Sequence, residues 1–114
     1  MHEMSIMARV FALIRQTKKR EQLSIIKRVR LTVGHLTCLE ETALEFAFSA
    51  FAASEGWAEM ELEIDWVEPQ AKCSHCDLEF KIVDRNRVCP DCGNFCQELL
   101  HGDELYLSMI EGGE

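Results

Sequence analysis

Cys73-Ser-His-Cys76 and Cys89-Pro-Asp-Cys92 are the residues of this 114-residue chain whose type and spacing speak most directly of chemistry. Each Cys-x-x-Cys turn can set two sulfurs on adjacent corners of a tetrahedron, and twelve residues between the pairs are enough for a short hairpin that folds one turn onto the other. Zinc held by four thiolates has no open position for water or substrate, so the expected site is structural. Gly93, directly after Cys92, tolerates the positive φ that lets a backbone wrap a metal and aim amides at sulfur, and Pro90 stiffens the same turn. Metal should also supply folding energy that so few apolar residues cannot. His75 and His101 read as surface side chains, Cys38 as a packed thiol and Cys96 as a thiol on the surface of the ribbon.

A second constellation is Met1-His2-Glu3. A free α-amine, the amide nitrogen of His2 and the His2 imidazole can close fused small rings around one metal ion, with a carboxylate or a further backbone nitrogen completing the plane. Square-planar nitrogen and oxygen donors suit Ni(II) or Cu(II) rather than zinc. By composition alone, a histidine at position two is only an exposed terminus.

The elements that must position these groups follow from periodicity. From about Ser5 to Arg20, Met7, Val10, Phe11 and Ile14 form an amphipathic stripe opposite a basic face. Val29, Leu31 and Val33 alternate with Arg28, Arg30 and Thr32, which predicts a half-buried strand over residues 26–33 ended by Gly34. A second helix carries Leu44, Ala47, Phe48 and Phe51, with Thr37-x-x-Glu40 reading as a capping box at its start and Gly56 at its end. Residues 61–67 alternate strictly, Leu62, Ile64 and Trp66 against acids. Leu78, Phe80 and Ile82 alternate between the cysteine pairs, ahead of a polar turn at 84–87, and Leu105, Leu107 and Met109 predict a last strand that returns to the first sheet.

The expected fold class is α+β: a small mixed three-stranded sheet with two helices, plus an inserted zinc-ribbon domain. The expected boundaries are residues 1–69 for the metal-binding domain that carries the terminus, 70–101 for the ribbon and 102–114 for the returning strand.

Charge divides the molecule. The net charge is −8, yet residues 1–30 carry +6 and the other 84 carry −14. The ribbon nets −1, a poor surface for phosphates, so a nucleic-acid role is disfavoured, whereas the basic first helix suits an acidic protein partner. No uncharged stretch exceeds nine residues, too short for a membrane span, and the N-terminus lacks the pattern of a secretory signal, so the cytoplasm is the expected compartment. No paired acid and base or glycine-framed serine points to an enzyme.

The opening Met1-His2-Glu3-Met4-Ser5, Val33-Gly34 through Cys38-Leu39-Glu40, the two cysteine pairs and Gly102-Asp103-Glu104 before a strand together resemble, in order along the whole chain, the HypA/HybF family of hydrogenase maturation nickel metallochaperones. The resemblance implies a nickel domain and a zinc domain, with Ni(II) as cargo and one structural Zn(II). It implies delivery to the large subunit of [NiFe] hydrogenase together with the maturation GTPase HypB, and in some members service to urease maturation proteins. Its nickel contacts fall on Met1, His2 and Glu3, with a nearby acidic position matching Glu40, and its zinc ligands on Cys73, Cys76, Cys89 and Cys92. His35, after Gly34, departs from the family pattern and reads as facing solvent. Glu40 has two incompatible readings, as a helix cap and as a group beside nickel. A monomer or homodimer is expected, with no bond-making chemistry. The competing class is a zinc-ribbon adaptor or nucleic-acid-binding module.

Overall fold

A computed structural model of the chain describes residues 2–113. The apolar stripe near the N-terminus winds into helix α1, Glu3–Arg20, which buries Ile6, Met7, Val10, Phe11 and Ile14. Glu3 in its first turn and Lys18, Lys19 and Arg20 in its last complement the helix dipole. Strand β1, Ile25–Gly34, follows; a short 3-10 turn, His35–Thr37, leads to helix α2, Glu41–Glu55. Gly56, at φ +79°, closes α2 by donating its amide to the carbonyls of Ala52 and Ala53.

The start of α2 overturns the capping-box expectation. Thr37 ends the 3-10 turn, where its hydroxyl donates to the carbonyl of Gly34 at 2.8 Å, and Cys38 then takes a left-handed conformation (φ 63°) that turns the chain away. Glu40 itself is the N-cap, and its side chain makes no cap hydrogen bond.

Strand β2 (Glu61–Val67) is followed by β3 (Gln70–Lys72), β4 (Glu79–Lys81), β5 (Leu99–His101) and β6 (Leu105–Gly113). They form two three-stranded sheets, ordered β2-β1-β6 and β4-β3-β5. This is the α+β architecture read from the sequence. The chain divides into two compact units, one made of residues 1–31, 39–65 and 106–114 and the other of residues 32–38 and 66–105.

In the first unit the core joins the α1 stripe to Ile26, Val29 and Leu31 of β1, to Leu44, Ala47, Phe48 and Ala52 of α2, and to Met60. β6 runs antiparallel to β1: the amide of Ser24 donates to the carbonyl of Gly113 at 2.9 Å and the Ser108 hydroxyl to that of Arg30 at 3.2 Å. The other side-chain row of β1 is ionic. Arg28 meets Glu63 at 3.1 Å and Glu111 at 2.8 Å, and Arg30 meets Glu63 at 3.4 Å. That pairing explains why arginines alternate with the apolar residues of this strand.

In the second unit β3 is the central strand, antiparallel to both β4 and β5. The strand expected between the cysteine pairs is therefore present as β4, and its partner lies upstream of the first pair. A tight turn follows it, with a bridge from Val83 to Asn86 and positive φ at Asp84 (52°) and Arg85 (63°). The buried core is Ala71, Cys73, Ile82, Cys89 and Cys96, flanked by Leu36, Leu78, Phe80 and Leu99. Gly34 passes so close to Gly102 that a β-carbon on Gly34 would lie 2.1 Å from the Gly102 backbone.

Candidate metal centres

The two cysteine turns are built alike. The amide of Asp77 donates to the carbonyl of Cys73 and that of Gly93 to Cys89, at 2.9 and 3.0 Å. The residue after each second cysteine is left-handed, Asp77 at φ 60° and Gly93 at φ 76°. The same turn chemistry thus serves twice, once with glycine and once with an aspartate, a residue that tolerates this region better than most. In each pair the first cysteine is buried and the second exposed.

The four ligand sulfurs all lie within 4.8 Å of one another, with Cys73–Cys92 at 3.5 Å and Cys76–Cys89 at 3.6 Å. A tetrahedron with zinc–sulfur bonds of about 2.3 Å has edges of about 3.8 Å, whereas a disulfide would need about 2.05 Å. The geometry fits one tetrahedral, thiophilic cation. Ionisation is uneven across the set. The backbone amide of Cys76 leads in drawing the Cys73 thiol down to about 6. The amide of Leu78 favours the Cys76 thiolate, but burial and the Cys89, Cys73 and Cys92 sulfurs outweigh it and push that thiol up to about 12. Burial opposes ionisation of Cys89, yet the amides of Cys92 and Asp91 keep its thiol below the usual range. Four anions so close repel one another, and a bound divalent cation is what lets all of them ionise together. Asn94 donates its amide to the Cys92 sulfur at 3.2 Å, a contact that spacing alone does not reveal.

At the other candidate centre His2 has extended backbone angles (φ −86°, ψ 136°) and caps α1, its Nδ1 accepting from the amide of Met4 at 3.2 Å. Met1 lies outside the described residues. Phe11 of α1 packs tilted against Phe48 and stacked on Phe51 of α2, both at 5.4 Å, and further along Arg15 pairs with Glu55, so the helices run in the same direction. Eight residues, about 12 Å of helix, lead back from Phe11 to Glu3 and likewise from Phe48 to Glu40. Both helix starts therefore stand at one end of the unit. Their positive dipole ends would repel a cation, and Glu3, Glu40 and Glu41 offset that field. His2 and Glu40 are exposed and Glu3 half-buried. Among the described residues the four cysteines are the one group of three or more candidate ligands within ligand distance, so His2, Glu3 and Glu40 share an end of the fold without being gathered around a point.

His35 is exposed, as expected, and its ring lies on Trp66 at 5.2 Å. The readings of the two remaining cysteines are reversed by the structure. Cys38 is exposed, with the guanidinium of Arg85 against its sulfur, because the left-handed turn carries it off the core. Cys96 is 1% exposed. The Gly102-Asp103-Glu104 motif also gains a reason. Glu104 accepts from the amide of Gly102 at 2.7 Å and meets the His101 ring at 3.1 Å, closing a turn in which Gly102 has φ +124°.

Comparison with known proteins adds three findings. The family described as "Hydrogenase/urease nickel incorporation, metallochaperone, hypA" matches residues 1–112. The hydrogenase maturation factor HypA of Desulfitobacterium hafniense is 34% identical over 111 residues, 97% of each chain, and that of Methylocella silvestris is 32% identical over 97% of this chain and 98% of its own. The solution structure of the Ni metallochaperone HypA from Helicobacter pylori superposes with a TM-score of 0.68 at 25% identity, covering 99% of this chain and 98% of that one.

Proposed function

Because the chain belongs to the HypA family of nickel-incorporation metallochaperones, we propose that it binds one Ni(II) at its N-terminus and hands it to a hydrogenase precursor, with zinc held by Cys73, Cys76, Cys89 and Cys92 as a resident structural ion. The observation that carries the nickel half of this reading is the exposed His2 at the start of α1, on the end of the unit where α2 also begins. Cargo that must be surrendered needs ligands that a partner can replace singly, and a chain terminus provides them.

The proposed donors are the Met1 amine, the His2 amide and imidazole, and Glu3, with Glu40 as the further acidic group. The six-membered ring of such a chelate uses His2 Nδ1, the atom that accepts the Met4 amide. Loading therefore exchanges a helix cap for a metal bond. Losing a cap costs about 0.5–2 kcal/mol, small beside a chelate yet enough to make release cheaper by the same amount. Glu40, whose side chain is not spent on capping, is open to the metal-side role. Cys73, Cys76, Cys89 and Cys92 would hold the zinc, which would fix the two cysteine turns and offset half of the charge of the four thiolates.

The basic residues of α1, Arg9, Lys19 and Arg20, are exposed and fit an acidic partner such as the maturation GTPase HypB; the large subunit of [NiFe] hydrogenase, or a urease maturation protein, is the proposed recipient. Exchanging Lys19 and Arg20 for Glu should weaken that association. Among the described residues no helix is long and apolar enough to cross a membrane; the cytoplasm is the proposed compartment and a monomer or homodimer the proposed state.

The test is nickel titration by calorimetry and absorption on tag-free, zinc-loaded protein. One Ni(II) per chain with a square-planar spectrum, lost in His2→Ala, supports the reading. Equal binding by both proteins removes its mechanism and leaves the zinc-ribbon adaptor as the better account.

A further inference from the structure

The two helices of the first unit end alike. In α1 the amide of Gln22 donates to the carbonyl of Lys19 at 3.3 Å and that of Leu23 to Lys18 at 2.9 Å; in α2 the amide of Gly56 donates to Ala53 at 3.2 Å and that of Trp57 to Ala52 at 2.8 Å. Gln22 and Gly56 are both left-handed, at φ 55° and 79°. Each helix thus closes in a Schellman motif, whose following residue is often apolar. Here those residues are Leu23 and Trp57. Because the helices run in the same direction, both closures stand at the end of the unit away from His2.

Between the closures lies a cavity of about 500 Å³ whose charged lining is entirely cationic, Arg15, Lys18 and Lys19, with Leu23, Ser24 and Trp57 beside them. Arg15 is paired with Glu55, but among the described residues Lys18 and Lys19 have no carboxylate partner. A second cavity, of about 760 Å³, shares Lys18, Ser24 and Trp57 with the first and continues past Ile25, Ala58 and Met60. Its charges are mixed, Lys27 and Arg28 against Glu59, Glu61 and Glu111. Trp57 lines both parts; it is half-buried, with its ring on Phe11 at 6.2 Å and 14° from parallel.

We propose that this two-part cleft seats an extended acidic segment of a partner protein, with carboxylates on Lys18 and Lys19 and one bulky apolar side chain against Trp57, Ile25 and Met60. The proposal sharpens the reading of α1 as the partner-binding helix and rests on it. Unpaired ammoniums in a lining without acids call for an anion, and the apolar lining next to them calls for a side chain that wants burial. A compact phosphate needs backbone amides aimed at it, as at helix N-termini. Here the amides of Gln22, Leu23, Gly56 and Trp57 are all spent on helix carbonyls, which leaves ammoniums on flexible stems. A nucleic-acid strand carries a charge at every step and would bring phosphates against Glu59 and Glu61. A peptide can keep its acids beside the lysines and run uncharged past the rest. Lys18 lies fifteen residues along α1 from Glu3, about 22 Å, so a segment held here leaves His2 uncovered.

The test uses full-length, tag-free, zinc-loaded protein carrying Trp66→Phe, which leaves Trp57 as the one tryptophan, with circular dichroism to confirm the fold. Its emission is titrated with a short peptide of aspartate and glutamate around one leucine. The emission should shift saturably, and binding should weaken as salt rises. Lys18→Glu/Lys19→Glu should weaken binding by about tenfold or more, and serine in place of the peptide's leucine severalfold. No saturable shift overturns the cleft and the partner-binding reading of α1 together. Equal binding by a peptide with lysine in place of the acids, or tighter binding by a thymidine oligonucleotide of the same charge, overturns the acidic segment. Loss of binding in Arg9→Glu/Arg20→Glu with native affinity in Lys18→Glu/Lys19→Glu moves the partner to the outer face of α1 and overturns the cleft alone.

A second measurement needs no substitution. With the same peptide added to the native chain, amide resonances of Lys18, Leu23 and Trp57 should shift while those of Glu3 and Met4 stay in place. Shifts confined to the first half of α1, or none, overturn the inference.

Discussion

Replacing His2 tests two functions of one nitrogen. In the structure His2 Nδ1 accepts the amide of Met4 and caps α1; in the proposed chelate the same atom binds nickel. His2→Ala removes both roles, whereas His2→Asn keeps an oxygen that can accept the Met4 amide and removes the imidazole. Asparagine is among the best N-caps, and alanine at a cap costs about 0.5–2 kcal/mol. An exposed 3.2 Å bond belongs toward the lower end, about 0.5–1 kcal/mol. For a unit of this size that corresponds to about 2–8 °C in the unfolding midpoint of the N-terminal unit. The assay is paired: thermal unfolding followed by far-UV circular dichroism without nickel, and nickel binding by calorimetry, on tag-free protein with zinc in place. His2→Ala should be destabilised and lose nickel. His2→Asn should unfold at or above the native temperature and lose nickel all the same. Nickel binding by His2→Asn at native affinity would refute the chelate, and an unchanged midpoint in His2→Ala would refute the cap.

Chelating zinc should unfold the second unit selectively, because three of its five buried core residues are cysteines; amide resonances of residues 70–101 should collapse toward random-coil shifts while those of α1 and α2 persist. Gly34→Ala should destabilise that unit by about 3 kcal/mol or more in urea unfolding, since the new β-carbon meets backbone, which cannot give way, at 2.1 Å. Gly93→Ala, with open space around it and only its φ of +76° against it, should cost about 1 kcal/mol. The acid limb of stability should carry a mark of Glu111. The hydrogen bond and charge of Arg28 hold that carboxyl below its ordinary value, so its stabilisation is complete above the unfolded value of about 4.3 and is lost as pH falls through the lower folded one. In Glu111→Gln, urea midpoints measured from pH 6 to pH 2.5 should fall less steeply than in the native chain.

The sequence by itself determined the elements whose periodicity is local. The Met7, Val10, Phe11, Ile14 stripe is α1, the alternation around Val29 and Leu31 is β1, and the strand expected at residues 61–67 is β2, because amphipathic pattern and burial are the same constraint seen twice. It also announced the four sulfurs, since two short turns suffice to place each pair and the metal's demand for a tetrahedron does the rest. Contacts between distant residues were decided only in the tertiary structure. Thr37-x-x-Glu40 has the letters of a capping box, but a 3-10 turn and a left-handed Cys38 intervene, and no local rule registers that competition. Cys38 and Cys96 are alike in isolation; one is carried outward by its backbone conformation, and the other is drawn inward by the pairing of β3 with β5. The shared direction of α1 and α2, which stands Glu40 level with Glu3, depends on how Phe11 packs between Phe48 and Phe51. Turns and stripes are fixed by neighbours a few residues away, whereas the burial of a thiol or the meeting of two helix ends depends on which surfaces pack, and packing is a property of the folded chain as a whole.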